Sequence, residues 1–475
     1  MITQIGKVKK TSHQIIISTN ALFKDFDEQL SSFFINKMKI DKKSSFLVDM
    51  FVKVNGIKIT NYIIIKLNKI TDFETNIEEI VSKVGELIIS TNGDVGLDFD
   101  KTSLCKEHRA LFEDLIVYKL YNFNQFKSNN KSKYQLTIKD KYRDSLEYSS
   151  FVDNLFKTRD LICTCAEHIN PDSLEKYVLH MFKENKNIKI TVFSSKQLVS
   201  MSMGGIYGVG KGSDIPPRLI IIEYKPRPKE KFKYGLVGKG VTYDSGGYNL
   251  KPTGNIEDMY VDMGGASVVI GVTKYLVDNS YNDNIVIALP LAENLISGNA
   301  QKPGDVIKMY NGKTVEIGNT DAEGRLLLAD SLAYIDKIYN PNVIVDIATL
   351  TGSQIVALGK SFAGLIGNNP KLNKSIQVLS LKIKERVWEL PKFDPYFGSM
   401  KSDYADMKNI SSGKFAPGCI TAGLFLSQFV TKQNWIHLDV AGPMGGSSLG
   451  SDPLYGPYPT AFGYRLLINY LTKNR

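Results

Sequence analysis

The eight residues Asn319–Leu326, with the sequence NTDAEGRL, constrain this chain more than any other segment. They place two carboxylates, Asp321 and Glu323, within four positions of Arg325. On an extended backbone, side chains two positions apart leave the same face, so the two carboxylates would converge. Converging carboxylates beside a cation are typical of sites that hold hard or borderline metal ions next to an anion.

A second segment with metal-binding side chains is Gly238–Gly247, with the sequence GKGVTYDSGG. It carries Lys239 and Asp244, and Lys251 and Asp262 follow it. Together the two segments supply three aspartates, one glutamate and two lysines. This set is large enough to bridge two divalent ions at the roughly 3.5–4 Å spacing of two-metal hydrolases.

Each segment alone also has a simpler interpretation. A lysine near an aspartate is most often a solvated ion pair that contributes little to stability. Asp321 and Glu323 would also suit the first turn of a helix, where carboxylates interact favourably with the helix dipole. The order and spacing of all seven groups, Arg325 included, favour a metal site over both interpretations.

The two segments resemble the signature of the leucyl aminopeptidase family of cytosolic dizinc peptidases. The resemblance is carried by NTDAEGRL and by VGKGVTYDSGGYNLKP at residues 237–252, and it extends over most of residues 158–475. It implies a metal-dependent aminopeptidase, a hydrolase that releases the N-terminal residue of a peptide by means of a metal-bridged hydroxide. It also implies a preference for leucine or a similar apolar first residue.

The resemblance assigns the metal ligands by matching position. Asp244 and Glu323 would each contact both ions, Lys239 and Asp262 would complete the tighter site, and Asp321 would complete the more exchangeable one. Zn²⁺ is the expected metal, with Mn²⁺, Mg²⁺ or Co²⁺ as alternatives at the exchangeable site. A lysine ligates only as the neutral amine, so the metal must displace a proton from Lys239.

The same matching assigns the remaining functional groups. Lys251 resembles a lysine that polarises the scissile carbonyl, and Arg325 resembles an arginine that holds a bicarbonate ion for proton transfer. The residues that match substrate-binding positions are Met259, Asn319, Thr349, Leu350, Gly352, Ala441 and Met444. A methionine-lined pocket would favour leucine or methionine over charged side chains, although Met259 would also suit the core.

Histidine-ligated zinc peptidases are the main competing class of metalloprotease. The five histidines are His13, His108, His168, His180 and His437. No pair of them forms a His-Glu-x-x-His motif, so the sequence excludes a zincin of that type. His437, within the segment WIHLDVAG, is interpreted as a buried hydrogen-bonding residue.

Composition restricts the class of protein. A chain of 475 residues with 43% hydrophobic and 23% charged residues is typical of a globular protein with two or three domains. No apolar run approaches the roughly 18 residues needed to span a membrane. Met1–Lys7 has no apolar core of the secretory type, and the four cysteines are interpreted as reduced thiols. We therefore expect a cytoplasmic protein.

The net charge of +10 and the pI near 9.0 raise the question of a nucleic-acid partner. The excess lysines are scattered along the chain, so we do not expect such a partner. Some bacterial relatives of the resembled family bind DNA, and that side role stays open. A phosphoester hydrolase that uses the same carboxylates is the chemical alternative. An inactive scaffold is disfavoured because every ligand position is filled.

The pattern of apolar residues predicts an α/β protein with an N-terminal α/β domain at 1–140, a linking helix at 141–162 and a catalytic domain at 163–475. Phe73–Ile88 has apolar residues at helical spacing. The aliphatic runs Arg218–Tyr224, Asn284–Leu289 and Val343–Ile347 predict buried strands of a mixed central sheet flanked by helices. The resemblance further implies a homohexamer that acts on short peptides with a free N-terminus.

Overall fold

Short aliphatic runs of this chain form strands that helices cover. The computed structural model describes residues 11–19, 46–55, 58–67, 71–90, 95–98, 104–128, 136–139, 144–413, 416–431, 433–445 and 454–473. The segment Met1–Lys7, on which the expectation about export partly rests, lies outside these ranges. The chain divides into two compact units, one of residues 1–156 with 451–456 and one of residues 157–450 with 457–475.

The first unit is built on a five-stranded sheet. Its strands are β1 Thr11–Thr19, β2 Phe46–Asn55, β3 Lys58–Leu67, β4 Val95–Asp98 and β5 Leu136–Lys139, in the order β2-β3-β1-β4-β5. Among the described strands of this sheet, β2 and β3 form the one antiparallel pair. Helices α1 Thr71–Ser90 and α2 Lys106–Leu120 belong to this unit. Helix α1 buries an apolar stripe at Phe73, Ile77, Ile80, Val84 and Ile88, as their spacing predicts.

Helix α3, Ser145–Cys163, is followed by the elements of the second unit. Its strands are β6 Ile188–Phe193, β7 Arg218–Tyr224, β8 Tyr234–Gly238, β9 Gly240–Asp244, β10 Ile285–Asn294, β11 Val306–Lys308, β12 Thr314–Glu316, β13 Val343–Ala348, β14 Ala363–Gly367, β15 Val387–Glu389, β16 Met407–Lys408 and β17 Asn434–Asp439. Its helices are α4 Pro171–Phe182, α5 Ser195–Ser200, α6 Gly204–Gly210, α7 Gly264–Asp278, α8 Gly324–Tyr334, α9 Gly352–Leu358, α10 Pro370–Ile383, α11 Gly418–Ser427, α12 Ala441–Met444 and α13 Tyr464–Lys473. Three helical turns of other types span Met259–Met263, Ile335–Tyr339 and Asp394–Met400.

Eight strands of the large sheet follow the order β15-β14-β17-β13-β8-β10-β7-β6, and β9 also pairs with β10. Strands β17, β13, β8 and β10 run parallel, whereas β14 and β7 are antiparallel to their neighbours β17 and β10. Strands β8 and β10 are buried along their whole length, as expected for continuous aliphatic runs covered on both faces. The mixed sheet flanked by helices confirms the predicted fold class.

One face of the sheet carries Ile344, Ala348 and Trp435, which share a buried core with Leu328 and Leu332 of α8. This packing places the first turn of α8 beside the carboxyl ends of β13 and β17. Ligand sites of α/β sheets commonly form at this edge. Of the helices in the described part of the chain, none combines the length and hydrophobicity that crossing a bilayer requires.

Candidate metal centre

The five predicted metal ligands lie where regular elements end. Lys239 separates β8 from β9, Asp244 ends β9, and Asp262 lies in the turn Met259–Met263. Asp321 lies in the turn before α8, and Glu323 immediately precedes the helix. The sheet therefore delivers side chains from distant parts of the sequence to one end of its strands.

The carboxylates of Asp244, Asp262 and Glu323 form a buried cluster. One oxygen from each lies within 4.8 Å of the others, and all three residues are at most 4% exposed. Carboxylate oxygens at this separation suit Zn²⁺, Mn²⁺ or Mg²⁺. Burying three carboxylates together is unfavourable unless cations accompany them.

Lys239 is one of these cations. Its Nζ lies 2.8 Å from both Asp262 Oδ2 and Glu323 Oε1 and donates to the Thr349 carbonyl at 3.0 Å. Burial lowers the pKa of Lys239, but Asp262, Glu323 and Asp244 together raise it above its usual range. Lys239 is thus an ammonium group here, and it must lose a proton to ligate a metal.

Lys251 is the second cation, and it lies between Asp244 and Asp321. Its Nζ is 2.9 Å from Asp244 Oδ2 and 2.5 Å from Asp321 Oδ1. Burial lowers the pKa of Lys251, and Asp244, Glu323 and Asp321 raise it above its usual range. Burial, with Asp244 and Glu323, raises the pKa of Asp321 to about 6 despite the opposing effect of Lys251.

The donor set fits a pair of divalent ions. Four carboxylates face only two lysines, so an excess of negative charge remains. Asp262 Oδ2 and Asp321 Oδ1 are buried and lie at ion-pair distance from a lysine, yet neither accepts a well-oriented hydrogen bond from the described residues. Burial, with Glu323 and Asp244, raises the pKa of Asp262 against the effect of Lys239. Additional positive charge would therefore be favourable here.

The expectation of an extended backbone through Asp321 and Glu323 is wrong. Residues Asn319–Ala322 form a turn, in which Asn319 Oδ1 accepts the Asp321 amide at 2.7 Å and the Asn319 carbonyl accepts the Ala322 amide at 3.3 Å. Asparagine favours such turns because its side chain substitutes for a backbone acceptor. The two carboxylates converge because the chain turns into α8.

The alternative interpretation, in which Asp321 and Glu323 mark the start of a helix, is right about the backbone but not about what their side chains contact. Helix α8 does begin at Gly324, directly after Glu323. Glu323 makes no capping hydrogen bond with its side chain and pairs with Lys239 instead. A Cβ on Gly324 would lie 2.5 Å from Lys239 Cε, so the glycine is required for the lysine to approach.

Arg325 lies next to this cluster and is 6% exposed. Its Nη1 donates to the Asn409 carbonyl at 2.8 Å, and its Nε has no partner among the described residues. Burial lowers the pKa of Arg325 to about 10, although Glu323 and Asp439 oppose the shift. A buried guanidinium with an unused N–H fits a small planar oxyanion such as bicarbonate.

The loop between β13 and α9 carries the predicted substrate contacts Thr349, Leu350 and Gly352. Thr349 Oγ1 donates to Asp262 Oδ1 at 2.8 Å, so the loop reaches the carboxylate cluster. Asp439 Oδ1 accepts the Leu350 amide at 3.1 Å and the Ala441 amide at 3.2 Å. The structure therefore brings four of the predicted substrate-binding positions together.

The two predicted pocket methionines differ in burial. Met259 is half-buried at the start of the turn that carries Asp262. Met444 is fully buried, and its sulfur lies 3.0 Å from the position of a Cβ on Gly264, the first residue of α7. Met444 therefore packs in the core beside α7, and a pocket formed with Met259 stays a prediction. The Asn319 side chain is occupied by the Asp321 amide.

Two asparagines that the motifs did not identify hold the carboxylates in place. Asn294 donates to Asp244 Oδ1 at 2.7 Å and to the Thr320 carbonyl at 3.0 Å. Asn409 accepts the Gly318 amide at 2.8 Å and donates to the Asn319 carbonyl at 2.7 Å. Asn294 is the last residue of a largely aliphatic strand, and a polar residue at this carboxyl end is the signal that could have revealed it.

Several known proteins are similar to this chain in sequence. The family model for the catalytic domain of the cytosol aminopeptidase family matches residues 156–468. A probable cytosol aminopeptidase of Chlorobaculum tepidum is 45% identical over 316 residues, which are 66% of this chain and 62% of the relative. One of Pseudomonas fluorescens strain Pf0-1 is 39% identical over 354 residues, 72% of this chain and 71% of the relative.

A solved structure extends the likeness to nearly the whole chain. The bottromycin maturation enzyme BotP in complex with Mn superposes with a TM-score of 0.84 at 26% sequence identity. The superposition covers 97% of this chain and 99% of that one. The match to the Chlorobaculum relative spans 62% of that protein's length. This chain belongs to the cytosol aminopeptidase family.

Proposed function

We propose that this chain is a metal-dependent aminopeptidase that releases an apolar first residue, leucine or a similar one, from peptides. The observation that carries the proposal is the buried cluster of Asp244, Asp262 and Glu323, with Lys239 and Lys251 placed among the carboxylates. Membership of the family and the likeness to a Mn-bound enzyme support it.

The proposed metal ligands are Lys239, Asp244, Asp262, Asp321 and Glu323. Asp244 and Glu323 would serve both ions, Lys239 and Asp262 the tighter site, and Asp321 the exchangeable one. Two divalent ions held by these residues, zinc or manganese, would supply an activated water for attack on the scissile carbonyl and a Lewis acid that binds the free α-amine. The requirement for that amine restricts cleavage to the first residue.

The protein groups orient the substrate around the metal centre. Lys251 remains charged because Asp244, Glu323 and Asp321 raise its pKa, so it can stabilise negative charge that develops on the carbonyl oxygen. Arg325 would hold a bicarbonate ion, which would supply a base for proton transfer. The loop Thr349–Gly352 positions the peptide backbone through its link to Asp262.

We further propose a homohexamer in the cytoplasm, with the catalytic domain at residues 163–475. Val356, Trp388, Phe393 and Tyr396 are exposed apolar side chains of the second unit, and exposed apolar side chains are common in subunit interfaces. Size-exclusion chromatography with light scattering tests the assembly. A monomer at micromolar concentration contradicts it.

The test of the activity compares leucyl, methionyl and cysteinyl-glycine dipeptides with their N-acetylated forms. We expect metal-dependent release of the first residue from the free peptides and no turnover of the blocked ones. Equal turnover of both would contradict an aminopeptidase. Hydrolysis of a phosphoester without peptide cleavage would instead support the phosphoester alternative.

A DNA-binding side role has a separate test. The double variant Asp321→Asn with Glu323→Gln removes two proposed metal ligands. It replaces two carboxylates by neutral amides and introduces no basic side chain. Salt-sensitive retardation of duplex DNA by this variant would support that role. We expect no retardation at physiological salt.

A further inference from the structure

A row of buried ionisable groups lies behind the substrate loop, outside the proposed metal ligands. Asp346 is in β13, and His437 and Asp439 are in β17; all three are at most 2% exposed. Asp346 lies directly opposite His437 in the parallel β13–β17 pair. His437 and Asp439 are two positions apart on one strand, so the three side chains leave the same face of the sheet.

Asp346 and His437 form a closely bonded pair. His437 Nδ1 lies 2.5 Å from Asp346 Oδ1, and Trp435 Nε1 donates to Asp346 Oδ2 at 2.6 Å. The Asp346 carboxylate therefore lies directly against one ring nitrogen of His437. A carboxylate at this distance favours the protonated form of a histidine ring.

Asp439 is the acceptor that shapes the substrate loop. Besides the amides of Leu350 and Ala441, it accepts the Thr351 hydroxyl at 2.6 Å and the Thr351 amide at 3.4 Å. Burial raises the pKa of Asp439, and His437 is the strongest influence against that shift. Four hydrogen-bond donors to Asp439 favour its ionised form, and a positive charge on His437 favours that form further.

Charged and titratable groups of both signs surround His437. Asp346 on β13 and Asp439 on β17 are acidic, and Arg325 on α8 is basic. Burial lowers the pKa of His437, but the two aspartates raise it above its usual value against the effect of Arg325. Cys419 on α11 faces Asp439, which together with burial raises the pKa of the thiol.

We propose that His437 is a positioning residue. Its protonated ring, bonded to Asp346, keeps Asp439 ionised, and the ionised Asp439 accepts the hydrogen bonds that hold the Thr349–Gly352 loop in place for the peptide backbone. His437 does not contact the substrate, because its ring is 99% buried within the sheet. The consequence of this role for catalysis rests on the proposed aminopeptidase function, whereas the effect of His437 on the loop does not.

The first experiment measures the charge state and the loop without any need for activity. Histidine labelled with ¹⁵N gives one pair of ring-nitrogen signals for each of the five histidines, and the pair absent in His437→Gln belongs to His437. We expect an imidazolium signal for His437 at pH 7 in the wild type and a neutral ring in Asp346→Asn. Hydrogen exchange of the segment 349–352 should be at least tenfold faster in His437→Gln, because the charged acceptor is weakened.

Trp435→Phe is the matched control, since it removes the other hydrogen bond to Asp346 and leaves the histidine unchanged. We expect this variant to lose stability and to keep slow exchange at 349–352. A neutral His437 ring in the wild type would overturn the proposal. Equal exchange of the loop in His437→Gln and Trp435→Phe would overturn it as well. Asp346→Asn repeats the exchange test if His437→Gln does not fold.

The second experiment uses the metal-loaded enzyme and a leucyl dipeptide. For His437→Gln we expect a KM about tenfold higher with a smaller change in kcat and unchanged metal content. In the wild type, KM should rise as the pH passes above the pKa of His437, and this rise should be absent in the variant. If the wild type cleaves no peptide, the proposed function fails while the exchange data still decide the role of His437. An unchanged KM in an active enzyme contradicts the positioning role.

Discussion

Asn294 donates a hydrogen bond of 2.7 Å to Asp244 Oδ1, the oxygen that faces away from Lys251. The Gly246 amide donates to the same oxygen at 2.9 Å. Asp244 is thereby held in one orientation, with its other oxygen, Oδ2, directed at the second lysine. Asn294 is the last residue of β10, so the sheet itself sets the position of a proposed shared ligand.

The first prediction concerns this bond. Asn294→Ala should weaken metal binding by about 10- to 100-fold, because neighbours that orient a ligand contribute that much to metal affinity. Metal titration by calorimetry measures the change. Asn311→Ala, at an exposed position, is the control and should bind metal as the wild type does. Equal affinity of the two variants would show that Asp244 is oriented without Asn294.

Asn409 permits a test of the turn that carries Asp321. Its side chain is fully buried and bonds the backbone of Gly318, Asn319 and Ala322. Asn409→Ala should lower the free energy of unfolding by about 3 kcal/mol. It should also weaken the exchangeable metal site more than the tighter one. Loss of both metals to the same extent, in a two-site titration, would contradict the assignment of Asp321.

Lys251→Ala separates catalysis from metal binding. Lys251 pairs with Asp244 and Asp321, so its removal takes positive charge away from two proposed ligands. Metal affinity should therefore be maintained or increased, whereas turnover should fall by about 10²- to 10³-fold. Metal analysis after dialysis and steady-state kinetics measure the two quantities. A parallel loss of metal and activity would contradict the role of Lys251 in stabilising the carbonyl oxygen.

Gly324→Ala tests how closely Lys239 must approach the helix. The added Cβ would lie 2.5 Å from Lys239 Cε and 2.7 Å from its Nζ, and the lysine end is held by Asp262 and Glu323. The variant should lose about tenfold in metal affinity at the tighter site. Alanine favours the helix by up to about 1 kcal/mol, so stability should not fall in parallel. Gly298→Ala is the control, because no atom of the described part of the chain lies within 4 Å of the added Cβ.

The buried Asp330 should make the stability of the protein depend on pH, even without bound metal. Burial raises its pKa to about 7, although the amides of Tyr310, Ile206 and Gly205 donate to it. Between about pH 4 and 7 the folded state keeps a proton that the unfolded state loses. The free energy of unfolding therefore decreases as the pH rises through this range, by up to about 4 kcal/mol.

Denaturant titrations of the metal-free protein at pH 4.5, 6 and 8 measure this contribution. In Asp330→Asn this decrease in the free energy of unfolding with rising pH should be absent, because the asparagine amide does not titrate. The variant should be less stable than the wild type at pH 8, since its NH₂ group cannot accept the amides that Asp330 accepts. Equal pH slopes for the two proteins would show that Asp330 is ionised throughout.

The sequence predicted the elements whose causes are local. The run Arg218–Tyr224 coincides with β7, and Val343–Ile347 coincides with β13 except for one additional residue. Aliphatic residues with no polar interruption are sufficient to indicate such buried strands. The predicted strand Asn284–Leu289 stops five residues short of the end of β10, whose last two residues, Glu293 and Asn294, are polar. Their burial depends on β9, which no local pattern reveals.

The site was predictable in its composition but not in its local geometry. The motifs named the side chains that the structure brings together at one end of the sheet. They did not predict the turn at Asn319, although asparagine favours a turn in which its side chain accepts the amide two residues on. Asn409 escaped notice for a different reason, since it lies about 90 residues from the turn that it stabilises. Long-range hydrogen bonds of this kind have no signature in a single sequence.

The two lysines among the carboxylates have a consequence for how the protein matures. Small zinc domains stay unfolded without their ion because the site does not form before the metal binds. Here the ammonium groups of Lys239 and Lys251 already balance part of the carboxylate charge without an ion. We therefore expect the chain to complete its fold before any metal is loaded.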